Sequence, residues 1–221
     1  MSEAPRVRMA GDAALVVEFE PRIAPEISAR AVAVARRVRE ALISGVLDVV
    51  PTYSAVTVYV DPLRVDLPGL ERRVREWAVS AAVDDSPSRE IVVGVRYGGE
   101  AGPDLPEVAA FAGCPVAEVV RRHTAPSYRV YMLGFLPGFA YMGVVEPSIA
   151  APRRPTPRLA VPAGSVGIAG RQTGIYPAAA PGGWQLIGVA EIDPFAPDRD
   201  PPCLFRPGDR VRFDAVSVER G

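Results

Sequence analysis

His123 is the single histidine of the chain, and no other side chain has an unperturbed pKa near neutrality. General acid or base chemistry at pH 7 without a large pKa shift would therefore fall to it. It ends a predicted helix, where a histidine can equally offset the helix dipole or bond a terminal carbonyl, and both roles stand open. Arg153, Arg154 and Arg158 lie in the proline-stiffened run Pro152-Arg153-Arg154-Pro155-Thr156-Pro157-Arg158. A rigid backbone lowers the entropy cost of fixing a long side chain, which suits bidentate capture of an anion; solvated surface arginines would read the same way. Gln172 and Thr173, between Gly170 and Gly174, combine amide and hydroxyl groups with accessible backbone N–H groups, the composition of a loop that polarises a carbonyl or of an ordinary turn. Phe135, Phe139, Tyr141, Tyr176 and Trp184 either line a pocket or fill a core.

Other chemistries are excluded by what is missing. All 25 basic residues are arginine, so neither a Schiff-base lysine nor a P-loop lysine exists, and cations can be offered to carboxylate or phosphate only as guanidinium groups. Ser165 lacks the Gly-x-Ser-x-Gly spacing of a nucleophile elbow and has no second histidine to serve it. Gly164, Gly167 and Gly170 do not follow the order of the dinucleotide fingerprint. Cys114 and Cys203 are the only cysteines; with one histidine they make neither a disulfide framework nor a zinc spacing, and they read as structural thiols. A net charge of −1 gives no global attraction to nucleic acid or to an anionic membrane, and no apolar run reaches the length of a membrane span. The start of the chain has no signal-peptide pattern, and a cytoplasmic location is expected.

The elements that must position these residues form two groups. Half of the 20 glycines fall between Gly134 and Gly188, among prolines and aromatics, which predicts turns and a cavity built from loops. Before them, residues 7–9, 14–19, 46–50 and 56–60 read as strands, and residues 23–43 and 67–83 carry helical apolar spacing. The order β-β-α-β-β-α predicts an antiparallel sheet covered on one face by two helices. The polar, proline-punctuated residues 82–88 read as a boundary, dividing the chain into an α/β domain at 1–85 and a second domain at 86–221. In the latter, residues 91–95 read as a strand, 105–112 and 116–123 as short helices, and the rest as short strands separated by Gly and Pro, indicating a barrel or sandwich.

Taken together, Gly134-Phe135-x-Pro137-Gly138-Phe139-x-Tyr141, Pro152-Arg153-Arg154-x-x-Pro157-Arg158, Val161-Pro162-x-Gly164-Ser165-Val166-Gly167-Ile168, Gln172-Thr173-Gly174-Ile175-Tyr176-Pro177 and Pro181-Gly182-Gly183-Trp184-Gln185-Leu186-Ile187-Gly188 resemble one family. It is that of the 5-oxoprolinase B subunits, also called allophanate hydrolase subunit 1 or KipI-like proteins. The resemblance runs over the whole chain, through Asp12, Val56-x-Val58, His123 with Tyr128-x-Val130, and the closing Pro207-Gly208-Asp209-Arg210-Val211-x-Phe213. It implies an α+β protein with an N-terminal ferredoxin-like α/β layer and a C-terminal cyclophilin-like β-barrel, half of a carboxyltransferase domain. It also implies a companion protein like the C subunit of 5-oxoprolinase and a third protein like its A subunit, which together open the lactam of 5-oxoproline to L-glutamate with ATP and Mg. On that reading His123, Gln172 and Thr173 are the catalytic candidates, and Arg154, Arg158, Phe135, Phe139, Tyr141, Tyr176 and Gln185 the substrate-binding ones. Two alternatives remain: a carboxyltransferase half acting on urea or another amide with biotin, and a KipI-type inhibitor of a histidine kinase.

Overall fold

The computed structural model describes residues 4–81 and 88–219. Residues 82–87, on which most of the expected boundary and the end of the second expected helix fall, lie outside the described residues. Contacts divide the chain into two compact units, Met1–Pro87 and Ser88–Gly221.

The first unit runs β1 (Arg6–Met9), β2 (Ala14–Glu18), α1 (Pro25–Glu40), β3 (Val46–Pro51), β4 (Ala55–Val60) and α2 (Leu67–Ser80). The strands form a four-stranded antiparallel sheet in the order β1-β2-β4-β3. This is the ferredoxin-like strand order with the last strand of that arrangement moved to the front. The period of two sends Leu15, Val17, Val56, Val58 and Val60 to one face, where Ile27, Ala31, Val34 and Val38 of α1 and Leu70, Val74 and Ala78 of α2 meet them. Each helix opens with proline in its first turn, and the side chain of Asp66 caps α2 by accepting from Gly69 N at 3.2 Å. Tyr59 on the opposite face stays 45% exposed, so the unit is two layers, as the periodicity predicts.

The second unit contains β5 (Glu90–Gly98), α3 (Leu105–Ala112), α4 (Val116–Thr124), β6 (Tyr128–Leu133), β7 (Ala140–Gly143), β8 (Arg158–Val161), β9 (Ser165–Ala169), β10 (Gln172–Ile175), β11 (Ala180–Gly182), β12 (Gln185–Ala190) and β13 (Arg210–Glu219). Seven of these strands close a barrel in the order β10-β7-β6-β13-β5-β12-β9, while β8 and β11 pair as a separate ribbon. Closure is made by β13 alongside β5, a parallel pairing from Arg210 opposite Glu90 to Glu219 opposite Gly98. Val93, Val95, Tyr128, Val130, Met142, Val166, Ile168, Ile175, Ile187, Val211 and Phe213 fill the interior, and Leu105, Val108, Val119 and Val120 of α3 and α4 join the same core. The expectation of loops through the glycine-rich block is corrected here: much of it is strand, and Gln172 and Thr173 lie inside β10, their backbones paired with β7 and β9.

Glycine does different work in those strands. Gly167 and Gly174 face each other across β9 and β10. A Cβ on Gly167 would come within 3.0 Å of the Trp184 side chain, and one on Gly174 within 3.3 Å of both Phe139 and Trp184. The pair leaves a bare patch on the outside of the barrel where aromatic rings lie directly on backbone. Gly174→Ala would also set a methyl carbon 2.8 Å from the Ala140 carbonyl oxygen. We expect it to cost about 1–3 kcal/mol in urea denaturation. Gly183→Ala, whose Cβ would find its nearest neighbour at 3.6 Å, should stay within about 0.5 kcal/mol of the parent.

Candidate functional site

His123 lies in the last turn of α4 and points into the barrel, where it is wholly buried. Its ring stacks on Phe213 at 4.7 Å between centroids and lies beside Tyr128. Thr173 Oγ1 donates to Gly167 O at 3.0 Å, so His123 Nε2 carries the proton donated to Thr173 Oγ1 at 2.9 Å, and Nδ1 accepts from Tyr97 Oη at 2.8 Å. Tyr128 Oη in turn donates to the His123 carbonyl at 2.8 Å. Burial pushes the imidazole pKa down to about 3 and the Tyr97 phenol well up, so the chain of hydrogen bonds is neutral. In this arrangement His123 and Thr173 hold strands together; a dissolved substrate meets neither of them.

The aromatic residues assemble on the outer side of the barrel wall. Phe139 is the hub, with Phe135, Tyr141, Tyr176 and Trp184 around it edge-to-face at centroid distances of 5.5, 4.9, 5.2 and 5.4 Å. These rings, with Arg153, Pro157, Pro181, Gly182 and Gly183, line a cavity of about 230 Å³. Gly167 and Gly174 lie beneath the Phe139 and Trp184 rings that line it, and a Cβ on Gly182 would collide with Tyr176 Oη at 2.4 Å. Phe135 adopts a positive φ of 71° in the turn between β6 and β7 and remains 58% exposed. A bulky residue held there carries backbone strain, and the turn uses it to place a ring at the cavity mouth. A larger cavity of about 390 Å³ in the first unit is lined by Glu18 and Glu20, but these carboxylates are already paired with Arg8 and Arg22.

The three arginines of the proline-rich strap separate in function. Asp104, 1% exposed, accepts from Arg154 Nη1 at 2.7 Å, from Arg158 Nη1 and Nη2 at 2.8 and 2.7 Å, and from Leu186 N at 2.7 Å. Arg154 and Arg158, expected to grip a substrate, are thus engaged by an internal carboxylate. Gln185 is likewise a fastener, donating from Nε2 to Pro152 O at 3.0 Å. Arg153 lines the aromatic cavity, and among the described residues no carboxylate is paired with it. The structure therefore brings Phe135, Phe139, Tyr141 and Tyr176 together and sets His123, Thr173, Gln172, Arg154, Arg158 and Gln185 apart from the lining. Sequence reasoning does not single out Asp104; the one signal available is an aspartate at the N-cap position before Leu105-Pro106.

The family model for the carboxyltransferase domain, subdomain C and D, matches residues 5–205. The chain is 44% identical over 209 residues to the 5-oxoprolinase B subunit of Escherichia coli O157:H7, covering 94% of each chain. It is 40% identical over 223 residues to the 5-oxoprolinase B subunit of Bacillus subtilis (strain 168), covering 96% of this chain and 93% of that one. The chain belongs to the family of 5-oxoprolinase B subunits. Its fold matches the crystal structure of TTHA0988 with a TM-score of 0.83 at 39% identity, covering 98% of this chain and 40% of that longer one. The Kluyveromyces lactis urea amidolyase shares the fold of this family member at a TM-score of 0.74 and 20% identity, over 97% of this chain and 15% of that one.

Two expectations follow for the interior and the strap. An unfolded histidine titrates near its ordinary value of 6.5 and the folded ring only near 3. Below pH 6.5 the unfolded state therefore binds a proton that the native state does not. The contribution is complete above that pH and is lost as the pH falls toward 3, by at most ~1.4 kcal/mol per pH unit. Urea denaturation at pH 7 and pH 5 should show a larger acid loss for the parent than for His123→Gln, and equal losses would refute the buried neutral ring. Asp104→Ala leaves Leu186 N and two guanidinium groups without their acceptor, and we expect a loss of about 2–3 kcal/mol in the same measurement.

Proposed function

We propose that this chain is one component of a cytoplasmic, ATP-dependent 5-oxoprolinase that opens 5-oxoproline to L-glutamate together with C-like and A-like companion proteins. The observation that carries this reading is the near full-length match, at 44% identity, to a protein named as a 5-oxoprolinase B subunit. The physical character of the aromatic cavity supports it. A cavity of about 230 Å³ lies below the ~300–1,000 Å³ of sites for drug-sized ligands and suits a single small ring. Its walls are flat and apolar, with one cationic group, and include no carboxylate, histidine or cysteine.

Opening a lactam requires a grip on the substrate, activation of a resonance-stabilised carbonyl, and disposal of its oxygen through phosphorylation. On our reading this chain supplies the grip. The described residues contain no group of three His, Cys, Asp or Glu side chains able to hold a metal ion, and the chain has no lysine for a phosphate. We assign ATP and its Mg²⁺ to the assembled complex, on surfaces furnished by the companions. Two buried polar atoms beside the cavity, Arg154 Nε and Gln185 Oε1, lack partners among the described residues, in keeping with a site that another chain or the substrate completes. No helix of the described residues is long and apolar enough to cross a membrane.

The decisive experiment mixes the purified chain with the proteins encoded beside it and follows ATP-dependent release of glutamate from 5-oxoproline. Turnover is expected only when the full set is present. A stable assembly that hydrolyses no 5-oxoproline would overturn the proposal.

A further inference from the structure

We propose that Arg153 is the group by which the aromatic cavity recognises the carboxylate of a small ring. The inference rests on that cavity being the substrate site of the proposed reaction. Composition alone offers three arginines in one strap, and the structure tells them apart by their partners. Arg154 and Arg158 share the buried carboxylate of Asp104 at 2.7–2.8 Å. Both guanidinium groups are paired with that buried carboxylate. Arg153 is exposed, lines the cavity and is paired with no carboxylate among the described residues.

The backbone on either side of Arg153 is fastened to the barrel. Pro152 O accepts from Gln185 Nε2 at 3.0 Å, and Arg154 N donates to Gly183 O at 2.8 Å. Residue 153 is thereby fixed between two hydrogen bonds and the Arg154–Asp104 ion pair, and its side chain lies with the aromatic rings of the cavity. The guanidinium is close enough to act on two phenols: burial pushes Tyr141 and Tyr176 up, and the positive charge of Arg153 pulls each of them back down. A guanidinium at the edge of an aromatic cavity offers a planar, two-pronged donor to a carboxylate. The Phe135, Phe139, Tyr141, Tyr176 and Trp184 rings that line the cavity offer apolar surface to the ring that bears it. The ligand class is accordingly a single five- or six-membered ring with a carboxylate directly attached, and a neutral amide of the same shape is the discriminating control.

Trp184 reports the test, because it lines the cavity and the chain has one other tryptophan, Trp77. In the full-length Trp77→Phe chain, Trp184 emission is titrated with pyrrole-2-carboxylate, 5-oxoproline and their carboxamides. The acids should bind ~10-fold or more tightly than the amides. Arg153→Gln should weaken the acids ~10- to 100-fold and leave the amides unchanged, with Arg153→Lys in between. The proposal is overturned if Arg153→Gln binds the acids as tightly as its parent, or if the parent shows no preference for acid over amide. In the reconstituted complex, Arg153→Gln should raise the KM for 5-oxoproline and leave kcat little changed. A complex that is inactive toward 5-oxoproline, combined with acid binding that depends on Arg153, would refute the proposed reaction and retain the assignment of Arg153. An active complex with an unchanged KM would do the reverse.

Discussion

A carboxylate removed from water has to be surrounded by donors, and Asp104 meets that condition with four of them drawn from three separate pieces of chain. It stands at the start of α3, where an aspartate would ordinarily cap its own helix, yet no side-chain cap is formed. Its oxygens go instead to Leu186 N in β12 and to guanidinium groups on the strap and on β8. Helix, barrel wall, strap and outer ribbon are thus located by one side chain. The aromatic cavity depends on this, because Arg153 and Pro157 on the strap are part of its wall.

The barrel separates its sealed interior from the aromatic cavity by the alternation of its strands. In β10, Thr173 and Ile175 are buried inward, Thr173 against His123 and Ile175 in the apolar core, whereas Gly174 turns outward beneath the aromatic rings. In β12 the same alternation lets Leu186 pack with Phe139 and Trp184 while Ile187 enters the interior, next to an irregularity in register between Leu186 and Gly188. The polar chain from Tyr97 through His123 to Gly167 gives the interior a directional hydrogen-bonded seam, and the outer face carries the aromatic cavity.

Periodicity made most of the framework legible. The alternating Val56-x-Val58-x-Val60 and the helical spacing of Leu70 and Val74 point to the faces that are buried, and α3 spans the residues that its apolar pattern marks out. The glycine-rich block misled for a physical reason. Glycine is demanded by turns and equally by strands that must accept a ring against their backbone, and a single sequence does not distinguish these demands. Arg153, Arg154 and Arg158 are likewise equivalent on paper, since the carboxylate that sorts them is Asp104, remote in sequence. His123 shows the converse case: its chemistry suggests catalysis, and its full burial beside Tyr97 and Thr173 gives it a framework position.

The seam between β5 and β13 carries a consequence for how the chain matures. The pairings of the first unit join residues fairly near in sequence, whereas the second unit closes by laying its last strand along its first. Long-range parallel pairing is among the slowest contacts a chain can make. On the ribosome the β-β-α-β-β-α layer has its full complement of strands early, while β5 waits with an open edge until β13 has emerged. An unpaired edge of that kind is what invites pairing with another chain before closure.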